Sequence, residues 1–254
     1  MTFDDVYLVN DERQPLTDAE VDEALEFLDP LPPGYREYLT TLGSGEYCDF
    51  LYVWPPSTIR KSLSETRSHI SQFFPYEFSK HPYPDRDYGA CVPIANSIDG
   101  DYLVVWPDSP HELIGLPRQD FECYRLPLGF ADLLNWELYV GQPRDYVFQP
   151  PFRFFEPSSV DFVWYVLRGT KQLTLAQVTH ALANELAEEE LRRIDDEEIV
   201  ILYPRSIHGR IQIVEDMNHG VSVHIRGANK RREKTASIVA KLQHMGAQII
   251  NQSH

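Results

Sequence analysis

Cys91-Val92-Pro93-Ile94-Ala95, then Ser97-Ile98-Asp99-Gly100, then Tyr102-Leu103-Val104-Val105-Trp106: two apolar, β-branched runs stand on either side of a glycine turn. Residues of this kind favour a pleated, half-buried strand. Glycine supplies a positive φ, and aspartate supplies local hydrogen bonds to the turn backbone. The stretch therefore predicts an antiparallel hairpin. Asp99 and Asp101 flank Gly100, and paired carboxylates can do acid/base work or hold calcium. Between two apolar strands the turn accounts for both.

The pattern before the hairpin is helical. Thr17-Asp18-Ala19-Glu20 is a capping box, and Val21, Ala24, Leu25 and Leu28 follow at helical spacing. Asp29 to Gly34 breaks that helix. Tyr35, Tyr38, Leu39 and Leu42 predict a second one, ended by Gly43-Ser44-Gly45. Tyr47 to Trp54 reads as a single strand stopped by Pro55-Pro56. Ser57 is a candidate cap for a helix through Ile59, Leu63 and Ile70, and the segment from Phe73 to Tyr88 reads as a loop rich in proline and aromatics. After the hairpin, Glu112–Gly115 and Phe121–Leu126 read as short strands. Phe130, Leu133, Leu134 and Leu138 read as a closing helix.

Residues 146–157, within a proline-rich stretch from 141 to 159, read as a linker between a domain over 1–145 and a second over 158–254. The second domain has the order β-α-β-β-β-α-β. Its strands are Phe162–Leu167, Glu198–Tyr203, a hairpin of Arg210–Glu215 with Val221–Arg226, and an edge strand Ala247–Ile250. Thr174 caps its first helix, Glu188–Arg193 extends that helix as a solvated face, and Arg231–Met245 is its second helix. The fold class is α+β: a sheet with flanking helices, followed by a smaller α+β domain.

The chain's charge is uneven. Residues 1–157 hold 27 Asp and Glu against 11 Lys and Arg, a net of −16, whereas residues 158–254 hold 12 of each. An acidic domain repels nucleic-acid phosphates and anionic lipid and speeds encounter with basic partners. Neither nucleic acid nor a membrane is expected as a partner, although acidity also serves solubility. The first residues lack the basic and apolar segments of a signal peptide. Cys48, Cys91 and Cys123 are odd in number and form no C-x-x-C pair, which argues against a disulfide framework and a zinc cluster. A cytoplasmic protein is the expectation.

Sequence motifs for nucleotide, serine or zinc chemistry are missing from the chain. No catalytic residue, metal or cofactor is therefore expected. Gly43-Ser44-Gly45 follows a helix, so it lacks the helix N-terminus that backs a phosphate loop. His208, His219 and His224 cluster in sequence around one hairpin. Close histidines can bind zinc or act as a base, but turn and surface positions explain them better. Lys230-Arg231-Arg232-Glu233-Lys234 opens the last helix. It is readable as a solvated face, yet positive charge at a helix start works against the dipole.

Leu31-Pro32-Pro33-Gly34-Tyr35-Arg36-Glu37-Tyr38-Leu39 followed by Leu42-Gly43-Ser44-Gly45 resembles the first signature of the SUKH superfamily. Trp54-Pro55-Pro56 with Ile59 is similar to its strand-to-helix step. Val92-Pro93-Ile94-Ala95 with Asp99-Gly100-Asp101-Tyr102-Leu103 is similar to its central hairpin, and Phe130-Ala131-Asp132-Leu133-Leu134 to its closing helix. The order holds over roughly residues 16–140. The resemblance implies a mixed-sheet α+β scaffold that binds another protein without catalysis, as in bacterial immunity proteins and fungal cell-wall-synthesis regulators.

The expected function is neutralisation of a basic toxin such as a nuclease. A regulatory or scaffold protein with an unrelated partner is the alternative, and an enzyme or metal site in the C-terminal domain is a third reading. Acids and tyrosines interleave in the loops of the first domain, and tyrosine gives contact area at low entropic cost. The candidate partner-binding residues are Glu46, Tyr47, Asp49, Tyr76, Glu77, Tyr83, Asp85, Asp87 and Tyr88.

Overall fold

The computed structural model describes residues 3, 6–48, 50–77, 86–98, 100–118, 123–126, 130, 153–158, 161–169, 173–186, 191–195, 198–216 and 220–253. The chain divides into two compact units. The first comprises residues 1–7 and 13–158, and the second comprises residues 8–12 and 159–254. Both are α+β. Among the described residues no helix is long and apolar enough to cross a membrane.

The first unit holds a sheet of strands β1 (Tyr7–Leu8), β2 (Gly45–Tyr47), β3 (Leu51–Val53), β4 (Val92–Ser97), β5 (Tyr102–Trp106), β6 (Ser109–Leu116), β7 (Tyr124–Leu126) and β8 (Phe154–Pro157). Their order is β1-β8-β2-β3-β4-β5-β6-β7, and the pairings from β8 to β7 are antiparallel. The β4–β5 hairpin forms where the two apolar runs and the glycine turn predict it. Gly100 sits at φ +87°, Asp101 N donates to Ser97 Oγ at 3.0 Å, and the Asp101 carboxylate, only 3% exposed, accepts from Arg118 N at 2.7 Å. Asp101 is thus a buried acceptor that ties the turn to the end of β6.

Helices α1 (Asp18–Asp22), α2 (Tyr35–Thr41) and α3 (Pro56–Glu77) accompany this sheet. Thr17 and Glu20 form the reciprocal capping box at the start of α1. Tyr35 and Tyr38 are fully buried and meet Phe130 edge-on or tilted, with ring centroids 5.5 and 5.9 Å apart. Phe130 N donates to Pro33 O, which fastens this residue to the turn that opens α2. Leu133, Leu134 and Leu138 lie outside the described residues.

Three local readings are corrected. Tyr47–Trp54 is a tight hairpin, β2 and β3, and not one strand, because Cys48 adopts φ +54° and reverses the chain. Ser57 does not cap α3. Pro56 opens the helix, where its missing N–H costs nothing, and the Pro55 carbonyl accepts from Thr58 and Ile59. The same helix runs on to Glu77, through Phe73-Phe74-Pro75, where the prolines and aromatics predict loop.

The linker is corrected as well. Phe154–Pro157 is a strand paired with β2, Tyr47 opposite Phe155, and both phenylalanines are fully buried. Two large aromatics gain too much by leaving water to remain in a solvated connector. The change of unit falls after Ser158.

The second unit is a six-stranded antiparallel sheet of β9 (Phe162–Arg168), β10 (Leu191–Asp195), β11 (Ile199–Pro204), β12 (Arg210–Asp216), β13 (Gly220–Ala228) and β14 (Gln248–Ser253). Its order is β10-β11-β12-β13-β9-β14. Val163, Tyr165 and Leu167 of β9 alternate inward with Ile211, Ile213, Val223 and Ile225. They pack with Val178 and Leu182 of α4 (Leu175–Glu185) and with Ile238, Val239 and Leu242 of α5 (Arg232–His244). The order is therefore β-α-β-β-β-β-α-β. The additional strand is β10, whose first residues the run of charges predicts as a helix extension. Its register with β11, Ile194 opposite Ile201, is a long-range pairing that the local run of charges hides.

Candidate functional site

Of the nine residues expected on a partner-binding surface, the structure places two on the outside. Glu46 is exposed on β2, and Asp87 is exposed before β4. Tyr47 and Tyr88 are corrections: they are 5% and 4% exposed. Tyr47 faces Tyr38 at 6.2 Å between ring centroids, and Tyr88 stands edge-on to Trp106 at 5.4 Å. An aromatic beside turn residues looks like an exposed anchor in sequence, but here the ring is the apolar part of a core. Asp87 has a local duty, since its side chain accepts from Gly89 N at 2.8 Å. The backbone of Tyr76 and Glu77 belongs to the last turn of α3, and their side chains lie outside what is described. Asp49, Tyr83 and Asp85 lie outside the described residues altogether.

What the first unit does present is charge. It carries 25 Asp and Glu against 11 Lys and Arg, a net of −14, while the second unit carries 14 against 12, a net of −2. Several of the eleven cations are already engaged. Arg36 pairs with Asp18 and Asp22, Arg60 with Glu23 and Glu26, Arg86 with Asp108, and Arg125 with Glu112. Arg67 donates to the Cys91 and Ala90 carbonyls. Exposed pairs of this kind add little stability. They leave the excess carboxylate charge of the unit in place.

In the second unit the geometry converges on His208. It follows β11 in a turn, at φ +48°, and is 7% exposed. Its Nδ1 lies 3.1 Å from Asp11 Oδ1, outside hydrogen-bonding geometry, and its Nε2 lies 3.4 Å from Arg231 Nη2. Asp11 belongs to the segment 8–12, which is held to this unit by further contacts. Arg205 Nη1 donates to Leu8 O at 2.7 Å, and Lys230 pairs with Glu12 and stands 3.6 Å from Asp11. Arg205, Ser206, His208, Asn229, Lys230, Arg231, Arg232, Glu233 and Lys234 line an open cleft of about 870 Å³.

The three histidines of the hairpin region do not form a set. His224 is exposed on β13 opposite Gln212, His208 is buried beside Asp11, and His219 lies outside the described residues. Among the described residues no group of three His, Cys, Asp or Glu could hold a metal ion. Cys91 and Cys123 are thiols whose pKa burial pushes up to about 12, so neither is poised as a nucleophile. The basic run 230–234 was legible in the sequence. Arg205, Ser206 and Asn229 were not, nor was the Asp11–Glu12 segment, which is almost two hundred residues away in the chain. No family model, curated protein or solved structure matches this chain.

The electrostatics at His208 have a measurable consequence. Burial is the largest influence and favours the neutral ring. Asp11 opposes it, the Arg231 and Lys230 charges reinforce it, and the net is a pKa below the ordinary 6.5. Burial raises the Asp11 pKa, but the charges of His208 and Lys230 outweigh it and hold the carboxyl below its usual range. Partial desolvation of its ring on the sheet face, and then the Arg210 charge, lower the His224 pKa although the residue as a whole is exposed.

A histidine whose folded pKa is depressed binds fewer protons folded than unfolded. Its stabilising contribution is therefore present above the unfolded pKa and is lost as pH falls through 6.5 toward the folded value. Urea midpoints should fall between roughly pH 7 and 5. His208→Asn, which tolerates a left-handed backbone, should flatten that slope. An unchanged slope in the variant would place the titration elsewhere.

Proposed function

We propose that this chain is a non-enzymatic protein-binding module of the SUKH kind, and that it neutralises a basic toxin such as a nuclease by occupying its substrate groove. The observation that carries the reading is the segregation of charge: −14 of the net −16 belongs to the first unit. A folded surface dense in carboxylates imitates the phosphate backbone that a nuclease groove is built to receive. The motifs that prompted the reading fall on coherent pieces of structure. Leu31–Leu39 leads into α2, Trp54-Pro55-Pro56 joins β3 to α3, and Val92–Leu103 spans the β4–β5 hairpin.

Glu46 and Asp87 are the exposed acids of the candidate surface. Asp49, Tyr76, Glu77, Tyr83 and Asp85 belong to it by sequence alone. The test is capture on the immobilised full chain from the cell of origin, with identification of the retained protein and assay of its nuclease activity. The expected partner is basic, is eluted by salt, and loses nuclease activity in the complex. Glu46→Lys should weaken retention without affecting folding. A neutral or acidic partner held equally at low and high salt would overturn the reading, and a basic partner without nuclease activity would favour a regulatory or scaffold role.

A further inference from the structure

The cleft of the second unit has chemistry that the proposed partner binding does not use. Five cations line it, Arg205, Lys230, Arg231, Arg232 and Lys234, against one carboxylate, Glu233. Such a concentration is costly where it stands. Four of the five lie within five residues at the start of α5, where their mutual repulsion adds to repulsion from the positive end of the helix dipole. An anion bound there would relieve both repulsions. The chain itself supplies a partial example, because the carboxylates of Asp11 and Glu12 are drawn onto His208 and Lys230 at the edge of the same cleft. His208, with only 7% of its surface exposed, has a buried Nδ1 that makes no hydrogen bond among the described residues. Asp11 Oδ1 lies 3.1 Å from it, so a carboxylate already stands against that atom at the edge of the cleft.

We propose that this cleft binds a compact polyanion carrying two or more phosphate groups, with Lys230 and Arg231 as its principal contacts and His208 at its floor. Three features select that class. A volume of about 870 Å³ is the size of a small-molecule site. Arginine guanidinium groups match phosphate oxygens in bidentate geometry, and lysine adds a point charge. The net charge of −16 opposes the approach of an extended polyanion such as nucleic acid far more than that of a small one. Asp11 and Glu12 then act as an internal competitor, since the Lys230 ammonium that they hold is one the ligand would take.

The experiment is calorimetric titration of the purified full chain with sodium tripolyphosphate, with inorganic phosphate and a twelve-nucleotide single-stranded DNA in parallel. Tripolyphosphate should bind at one site per chain, and at least tenfold more tightly than inorganic phosphate. Lys230→Ala and Arg231→Ala, both at exposed positions, should each weaken it by about tenfold, the loss of one charge-assisted contact. The double change Asp11→Asn with Glu12→Gln should tighten it. Lys241→Ala, at the far end of α5 and paired with Glu185, should leave it unchanged.

Absence of saturable binding would overturn the proposal, as would equal loss in the Lys241 variant. Inorganic phosphate binding as tightly as tripolyphosphate would remove the requirement for two phosphates. Tighter binding of the oligonucleotide would replace the compact ligand by nucleic acid. None of these outcomes depends on the partner of the first unit.

Discussion

Association of the chain with the basic partner proposed for it is expected to slow by about 10- to 1000-fold as ionic strength rises from low to high, with little change in dissociation. The cause is the location of the charge. A net of −14 sits in one unit and only −2 in the other, so the field of the first unit is not cancelled within it. Raising the salt shortens the screening length from about 30 Å at 0.01 M to about 3 Å at 1 M. Long-range steering is lost over that range, while contacts inside the formed complex are screened much less. Stopped-flow mixing of the captured pair over a salt series measures it. A flat association rate would mean that the acidity serves solubility, and the nuclease reading would lose its physical support.

Gly209→Ala is expected to cost the second unit about 3 kcal/mol or more. A Cβ at this position would fall 1.9 Å from the Arg226 carbonyl oxygen and 2.8 Å from its carbon, and both atoms are backbone of β13. No side-chain rotation relieves that overlap. The turn after β11 is pressed against a central strand, and Ala228 N donates to Ile207 O across the contact at 2.9 Å. Because the same turn carries His208 at φ +48°, the substitution should also disturb the cleft. Gly89→Ala is the control, since its nearest neighbour is a side-chain oxygen, Asp87 Oδ1, at 3.2 Å. Urea unfolding of the two variants measures the difference. Equal and small losses would show that the backbone of β13 can move away.

The features that the sequence carried openly were those set by neighbours in the chain. The capping box at Thr17 is a reciprocal pair of hydrogen bonds over three residues and forms as the sequence predicts; Thr174 caps α4 as predicted, and the structure adds Gln177 as its reciprocal partner. The β4–β5 hairpin follows from two apolar runs and a glycine, and the inward faces of α4 and α5 follow from helical spacing. Together these fixed an α+β chain with a second small core, and the charge count fixed which part is acidic. Exposure was less legible. Tyr47 and Tyr88 carry the same ring whether it faces water or a core, and only the neighbouring rings of Tyr38 and Trp106 decide between the two.

The sequence by itself determined the local elements, the class and the asymmetry of charge, because each depends on spacing or composition. Only the tertiary structure decided that Phe154–Pro157 is a strand and not a linker, that β10 joins β11, and that Asp11 lies against His208. Each of these joins residues through pairing or charge that no local period encodes. The cleft belongs to the second group. Its basic run stands in plain view at 230–234, yet the cleft also needs Arg205, Ser206 and His208 of the turn after β11, which only the folded sheet brings to that run.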